Sequence, residues 1–244
     1  MTPALETEGL TKRFGGVRAL DDITVSVARG TVLGIIGPNG AGKSTLLNVI
    51  TGHLAPSAGR VLLNGRDVTG AAPWRLARAG MARTFQVMRT FEDLTASENV
   101  ALSAMYTRRI TRRAAAAVAS QLLDTVGLGS SAGQPARELR IADSRRLELA
   151  RALAAAPRVL FLDEILAGMS HEELSVVLEL LLRLRDDNMT MVIVEHHMRA
   201  VQTLCDEVLV LLRGRAVSQG PPCTVFADPS VIEAYLGSHA GVAL

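Results

Sequence analysis

Short apolar runs alternate along the chain with longer segments in which apolar residues recur every three or four positions. The run TVLGIIG (31–37) is uniformly apolar and ends in glycine, the pattern of a strand buried on both faces. RVLLNG (60–65), MARTFQ (81–86), RVLFLDE (158–164), TMVIVEH (190–196) and EVLVLLRG (207–214) predict further strands. KSTLLNVITGHL (43–54) and HEELSVVLELLLRLRDDN (171–188) carry helical periodicity instead. Residues 87–157 are rich in Ala and Leu and predict an inserted helical lobe, interrupted at Gly127 and Gly129. Within it, TRRITRR places Arg108, Arg109, Arg112 and Arg113 on adjoining turns of one expected helix, as a solvated basic face or a contact for lipid headgroups or a permease loop. The tail PPCTVFADPSVIEAYLG (221–237) predicts a turn and then one short helix. Alternation of strands and helices predicts an α/β fold with a mostly parallel core sheet. The expected organisation is a single domain over 1–244, with a core from 1–86 and 158–244 and the helical lobe at 87–157.

Composition narrows the picture. The 244 residues suffice for one large domain. Hydrophobic residues make up 48% and aromatic residues only 3%, so the core must be built from aliphatic side chains. Lys and Arg number 26 against 24 Asp and Glu, which gives no electrostatic reason to expect nucleic-acid binding. Cys205 and Cys223 have neither CxxC spacing nor a His at ligand spacing, so a disulfide framework or zinc site is not expected and a reducing cytosol fits. The N-terminus lacks the pattern of a signal peptide, and no apolar stretch reaches the roughly 18 residues that span a bilayer.

GPNGAGKST lies between an expected buried strand and an expected helix. It comprises Gly37, Pro38, Asn39, Gly40, Ala41, Gly42, Lys43, Ser44 and Thr45, and contains the spacing G-x-x-x-x-G-K-[ST]. Glycines let the backbone turn its N–H groups onto one anion, and the positive end of the following helix adds to the attraction. Lys43 can reach the β- and γ-phosphates of a nucleotide, Ser44 is placed for Mg2+, and Thr45 can add a contact to the α-phosphate. The end of VLFLDE offers adjacent carboxylates: Asp163 for the metal and Glu164 for polarising the attacking water. Taken alone, such a pair could equally be a capping feature at a strand end.

Several further motifs occur in the order found in the ABC ATPases, which the chain resembles over nearly its whole length. TFQ places Gln86 at that family's Q-loop position, and VIVEH places His196 at its switch-histidine position. The resemblance implies that Gln86 contacts Mg2+ or the attacking water and that His196 hydrogen-bonds the γ-phosphate. It also implies the P-loop NTPase fold of that family, with an antiparallel β subdomain beside the core. KRFGGVRAL, RTFQ, LTASENV, RRLELARAL and DPSVIEAYLG together resemble the ATP-binding subunits of importers for branched-chain amino acids, urea and related amides. Phe14 stands where that group stacks an aromatic ring on adenine; a core or edge role is the alternative. Phe85, Met88 and Phe91 stand where the family receives a coupling helix of the membrane subunit; a core role is the alternative.

One motif departs from the family. Where a signature of the form L-S-G-G-Q is expected, the chain carries Leu139, Arg140, Ile141, Ala142 and Asp143. Small residues there let hydroxyl and amide groups approach the partner subunit's γ-phosphate. Arg140 either adds bulk or serves as a charged donor, with Asp143 pairing with it or capping a helix that begins near Ser144. Ile165 and Ser170 likewise replace the usual proline and the usual Asp or Asn. The resemblance therefore implies an ATP- and Mg2+-dependent importer subunit at the cytoplasmic face of a membrane. Its implied partners are a second, unlike ABC ATPase subunit, two transmembrane permease subunits and an extracytoplasmic solute-binding protein, with no nucleic acid. The alternatives are a slowly hydrolysing regulatory subunit and a soluble ABC protein without a transport role.

Overall fold

The computed structural model describes residues 2–85 and 90–236, with the side chains of 234–236 left aside. Residues fall into two compact units, Met1–Pro73 with Leu184–Leu244, and Trp74–Arg183.

The first unit opens with a long hairpin, β1 (Leu5–Phe14) and β2 (Val17–Val27), whose turn is made at Gly15 with φ 55°. Its register shifts several times between Thr7 and Arg13. Thr7 is buried inside it, donating to Ile23 O at 3.0 Å and accepting from Val25 N at 3.1 Å. Next come β3 (Val32–Ile36), α1 (Lys43–Ile50), β4 (Ala58–Leu63) and the short β5 (Arg66–Asp67). The antiparallel sheet has the order β2-β1-β4-β5.

Along the second unit run α2 (Pro73–Ala79), β6 (Met81–Arg83), α3 (Ala96–Arg108), α4 (Arg112–Thr125), α5 (Ile141–Ala154), β7 (Val159–Asp163) and α6 (His171–Asp186), the last turn of α6 crossing the boundary. β6 and β7 pair in parallel. The helices pack on mostly small apolar faces: Ala96, Val100 and Ala104 of α3 and Ala115, Ala119 and the larger Leu123 of α4 are buried at four-residue spacing, one face each. Thr95 and Glu98 form a capping box at the start of α3. The chain breaks between α3 and α4, where Arg109 takes φ 55° and Thr111 caps α4. The four arginines therefore flank a helix junction instead of lining one helix, because the left-handed residue stops α3 and the threonine starts a new helix.

The chain then returns to the first unit with β8 (Thr190–Val194), α7 (Met198–Leu204), β9 (Glu207–Leu212), β10 (Arg215–Gly220), α8 (Pro222–Phe226) and α9 (Pro229–Leu236). Here β3 lies parallel to both β8 and β9, and β10 closes the edge antiparallel to β9. All five residues of β3 and of β8 are buried, which explains their apolar sequences, broken only by Thr190 at the start of β8. The tail forms two short helices instead of the one expected. Pro229 cannot sit in a helix interior, and Asp228 accepts from Ser230 N at 2.9 Å as the chain restarts.

The sequence-derived boundaries at 87 and 157 both fall inside the second unit. β6 and β7 pair with each other next to the helices, so contacts group them with that lobe. Among the described residues no helix is long and apolar enough to cross a membrane.

Candidate functional site

Buried β3 delivers the chain into the loop Gly37–Gly42, and α1 begins at Lys43. Two glycines are required by close backbone approach. A Cβ on Gly37 (φ 150°) would lie 2.2 Å from Leu211 O, and one on Gly42 (φ 108°) would lie 2.7 Å from Ala19 O. The loop closes on itself through Ala41 N to Pro38 O at 3.1 Å, and is tied to the β9–β10 turn by Gly214 N to Ala41 O at 2.8 Å. Lys43 Nζ donates to Gly37 O at 2.7 Å and to Pro38 O at 3.0 Å, so its ammonium lies over the loop. No side chain caps α1, and its first turn carries no acidic residue. A helix that begins this way leaves first-turn N–H groups and the positive dipole end for an anion. Ser44 is exposed at the first turn and Thr45 is half-buried beside it. Residues Gly37, Pro38, Asn39, Gly40, Ala41, Gly42, Lys43, Ser44 and Thr45 thus form one continuous cradle.

His196 leaves the carboxyl end of β8 next to this loop. Ile35 and Val194 are paired across parallel strands, so Gly37 and His196 each lie two residues beyond that pair. The His196 side chain is exposed, while His197 accepts from Ala200 N through Nδ1 at 3.4 Å and caps α7. Phe14 ends β1 with its ring 48% exposed, and Lys12 Nζ sits 5.1 Å from the ring centroid. An exposed ring at a hairpin end is available for stacking and is not a core residue. Cys205 is buried behind β3, and burial pushes its thiol up to about 12, so it stays protonated and inert.

The second unit holds the carboxylates. Asp163 ends the wholly buried β7 and Glu164 follows with φ 48°, an uncommon conformation for a non-glycine residue. Arg83 Nη2 donates to Asp163 Oδ2 at 2.7 Å, with both side chains nearly buried. Thr84 Oγ1 accepts from Asp163 N at 3.3 Å, and Thr84 N donates to Phe161 O at 2.9 Å. Asp163 Oδ1 is buried and finds no hydrogen-bond partner among the described residues. Buried polar atoms are rarely left so. A free carboxylate oxygen fits Mg2+, which takes one or two protein oxygens and otherwise substrate phosphates and water. Among the described residues there is no cluster of three His, Cys, Asp or Glu side chains that would form an all-protein cage.

Gln86 and Met88 lie outside the described residues. Phe85, immediately before them, is held to α5: its N–H donates to Glu148 Oε1 at 3.3 Å and its carbonyl accepts from Arg145 Nη1 at 3.0 Å. Phe91, on the far side, is 49% exposed, and the buried Asn99 fixes its backbone through Phe91 N to Oδ1 and Nδ2 to Phe91 O, both at 2.9 Å. Sequence reasoning overlooked Arg83, Arg145, Glu148 and Asn99. Arg83 carries no local signal, because its pairing with Asp163 follows from β6 and β7 lying in parallel.

The departing motif is positioned differently from expectation. Helix α5 begins at Ile141, three residues before Ser144, with Arg140 as its N-cap and no side-chain cap. Asp143 pairs with Arg146 one turn later, and neither pairs with Arg140 nor caps the helix. The i,i+3 geometry puts those two side chains on one face, and Arg146 also donates to Val126 O and Gly127 O at 3.2 Å each. Ala142 is buried within α5, whereas Ile141 is 61% exposed. Ile165 is buried in the core, and Ser170 forms a reciprocal cap with Glu173 at the start of α6, Ser170 N donating at 2.9 Å and Glu173 N at 3.3 Å. Bonds from Ser170, and then Arg140 and Arg146 nearby, hold the Glu173 carboxyl below its ordinary range.

The family model described as ABC transporter matches residues 20–167. The high-affinity branched-chain amino acid transport ATP-binding protein BraF of Pseudomonas aeruginosa is 36% identical, covering 96% of this chain and 98% of the relative. Its counterpart LivG of Salmonella typhimurium is 34% identical at the same coverage. Among solved structures, an ATP-binding cassette of an ABC transporter in its ADP conformation superposes with a TM-score of 0.87 at 31% identity, covering 97% of this chain and 100% of that one. A cradle preorganised for phosphate, a strand ending in paired carboxylates and these likenesses lead to one assignment: the chain belongs to the ABC transporter family of ATP-binding cassettes.

Proposed function

We propose that this chain is the ATP-hydrolysing subunit of an importer, powering uptake of branched-chain amino acids or a related small polar solute through partner permeases. The observation that carries the reading is the uncapped α1 terminus behind a loop in which Gly37 and Gly42 admit no Cβ. The solute class rests on the names of BraF and LivG, both matched over almost their whole length.

The nine residues Gly37 to Thr45 bind the triphosphate, Lys43 moving from the loop carbonyls to the β- and γ-oxygens. Phe14 stacks on the adenine. Ser44, Asp163 and Gln86 are the residues that would hold Mg2+, which would supply charge neutralisation for the phosphates. Glu164 orients the attacking water and accepts its proton, while His196 donates a hydrogen bond to the γ-phosphate. Arg83 holds Asp163 so that Oδ1, and not Oδ2, is left for the metal.

Binding and hydrolysis separate at the Leu139–Asp143 segment. A positively charged, bulky N-cap and an exposed Ile141 replace the small residues that would let α5 approach a second nucleotide. The subunit therefore pairs with an unlike ATPase whose intact signature covers its ATP, at the cytoplasmic face of a membrane, with two permeases and an extracytoplasmic solute-binding protein. The test compares ATP-driven leucine uptake by the reconstituted complex with turnover of this chain alone. Uptake that requires Lys43, together with slow turnover alone that rises in the Arg140→Ser, Ala142→Gly variant, is expected. Full turnover by a homodimer of the unaltered chain would overturn the pairing, and uptake indifferent to Lys43→Ala would overturn the role itself.

A further inference from the structure

The second unit carries a cationic and aromatic face that ATP chemistry does not use. On α2, Trp74 is flanked by two guanidinium groups, Arg75 at 5.1 Å and Arg78 at 5.3 Å from its ring centroid. Arg78 also lies 5.2 Å from the ring of Tyr106 on the last turn of α3, so one arginine is sandwiched between two rings. Both rings are large and open, Trp74 at 44% and Tyr106 at 54% exposed. Tyr106 leads directly into the α3–α4 junction with Arg108, Arg109, Arg112 and Arg113, all exposed.

The charge of this face is uncompensated. The sequence has no Asp or Glu between Asp67 and Glu92, nor between Glu98 and Asp124. Among the described residues none of these six arginines forms an ion pair; the acid that senses Arg112 is Glu98, already engaged in the capping box of α3. A chain of nearly neutral net charge, +2 in all, has thus concentrated cations where it also exposes Trp and Tyr. Amphipathic rings favour the headgroup level of a bilayer, and each arginine near an anionic leaflet is drawn to it electrostatically. An acidic protein segment would account for the arginines but leaves two half-exposed rings at one edge of the cluster without a partner.

We propose that the face formed by α2 and the α3–α4 junction docks directly on an anionic phospholipid surface. The contact goes beyond the importer reading, since it needs neither permease nor nucleotide. Binding should weaken steeply with salt, because each exposed charge is screened beyond a Debye length of about 8 Å at physiological ionic strength.

The experiment is co-sedimentation of the full chain with vesicles of phosphatidylcholine alone or with about 30% phosphatidylglycerol added. Expected is salt-sensitive partitioning to the anionic vesicles only, weakened about fivefold for each arginine replaced by Gln at 108, 109, 112 and 113, and weakened also by Trp74→Ala with Tyr106→Ala. Replacement of the same arginines by Lys should keep most of the partitioning, and MgATP uptake by each variant checks that it is folded. Failure of the unaltered chain to partition, equal partitioning to neutral vesicles, or binding to polyglutamate in place of vesicles would each overturn the proposal; the last would point to an acidic protein partner. These results read the wild-type chain first, so an unfolded variant leaves the decision intact.

Discussion

The Arg83–Asp163 pair shows how a single contact can serve both stability and chemistry. Both side chains are almost fully enclosed, so removing one partner strands a buried charge. Arg83→Leu should lower unfolding free energy by about 3–5 kcal/mol, read by urea denaturation; an unchanged midpoint would mean that the pair is not buried in solution. The neighbouring Glu164 has a separate assignment. Its left-handed backbone, φ 48°, sits in a region that a side chain adopts only when its surroundings compel it. Glu164→Gln keeps that shape and removes the base, so turnover should fall by about 10²- to 10⁴-fold while MgATP affinity holds. Retained turnover in single-cycle measurements would remove Glu164 from the reaction. Of these residues the carboxylates were legible from sequence because they terminate an apolar run. Arg83 was not, since nothing local marks which cation will face Asp163 across a parallel pair.

At the scale of elements, burial decides what can be read. β3, β7 and β8 are buried along their whole length, so their sequences are apolar runs interrupted only by Thr190 at the start of β8 and Asp163 at the end of β7. The hairpin β1–β2 escaped notice because its register shifts disrupt alternation, and because Thr7 occupies a core position with its hydroxyl satisfied across the sheet. β10 escaped for a different reason: it is a largely exposed edge of polar sequence, RAVSQG. The α3–α4 break was hidden by arginines, which are good helix formers, while the left-handed C-cap at Arg109, whose N–H bonds Met105 O, carries none of the glycine or asparagine that usually marks such a stop. Caps are more transparent. Thr95 and Glu98 satisfy each other's amides at the head of α3, so Thr95→Ala should cost about 1 kcal/mol in thermal or chemical unfolding. No measurable loss would show that Asn99, with its bonds to Phe91, Leu94 and Thr95 carbonyls, holds the loop alone.

For the whole molecule, carboxylates set the response to acid. Asp21 beside Arg215, and Glu98 and Glu173 in their caps, are held below their ordinary range by hydrogen bonds and nearby cations, and Asp228 at Ser230 by hydrogen bonds alone. A depressed folded value means that the stability is complete above the unfolded carboxylate range and is lost as pH falls through the folded values. The denaturation midpoint should therefore be flat near neutrality and fall between about pH 5 and pH 2, less steeply at high salt because Glu98 is exposed and the other three are only half-buried. A midpoint that rises in acid would contradict the assignment.

The phosphate cradle remains the claim on which the transport role depends, and calorimetric titration of the purified chain with MgATP tests it most directly. The geometry predicts saturable uptake by the unaltered chain and its loss in Gly42→Val, whose side chain would be driven into Ala19 O. A folded wild-type chain that takes up no MgATP, or a Gly42→Val variant that binds it equally well, would contradict the account.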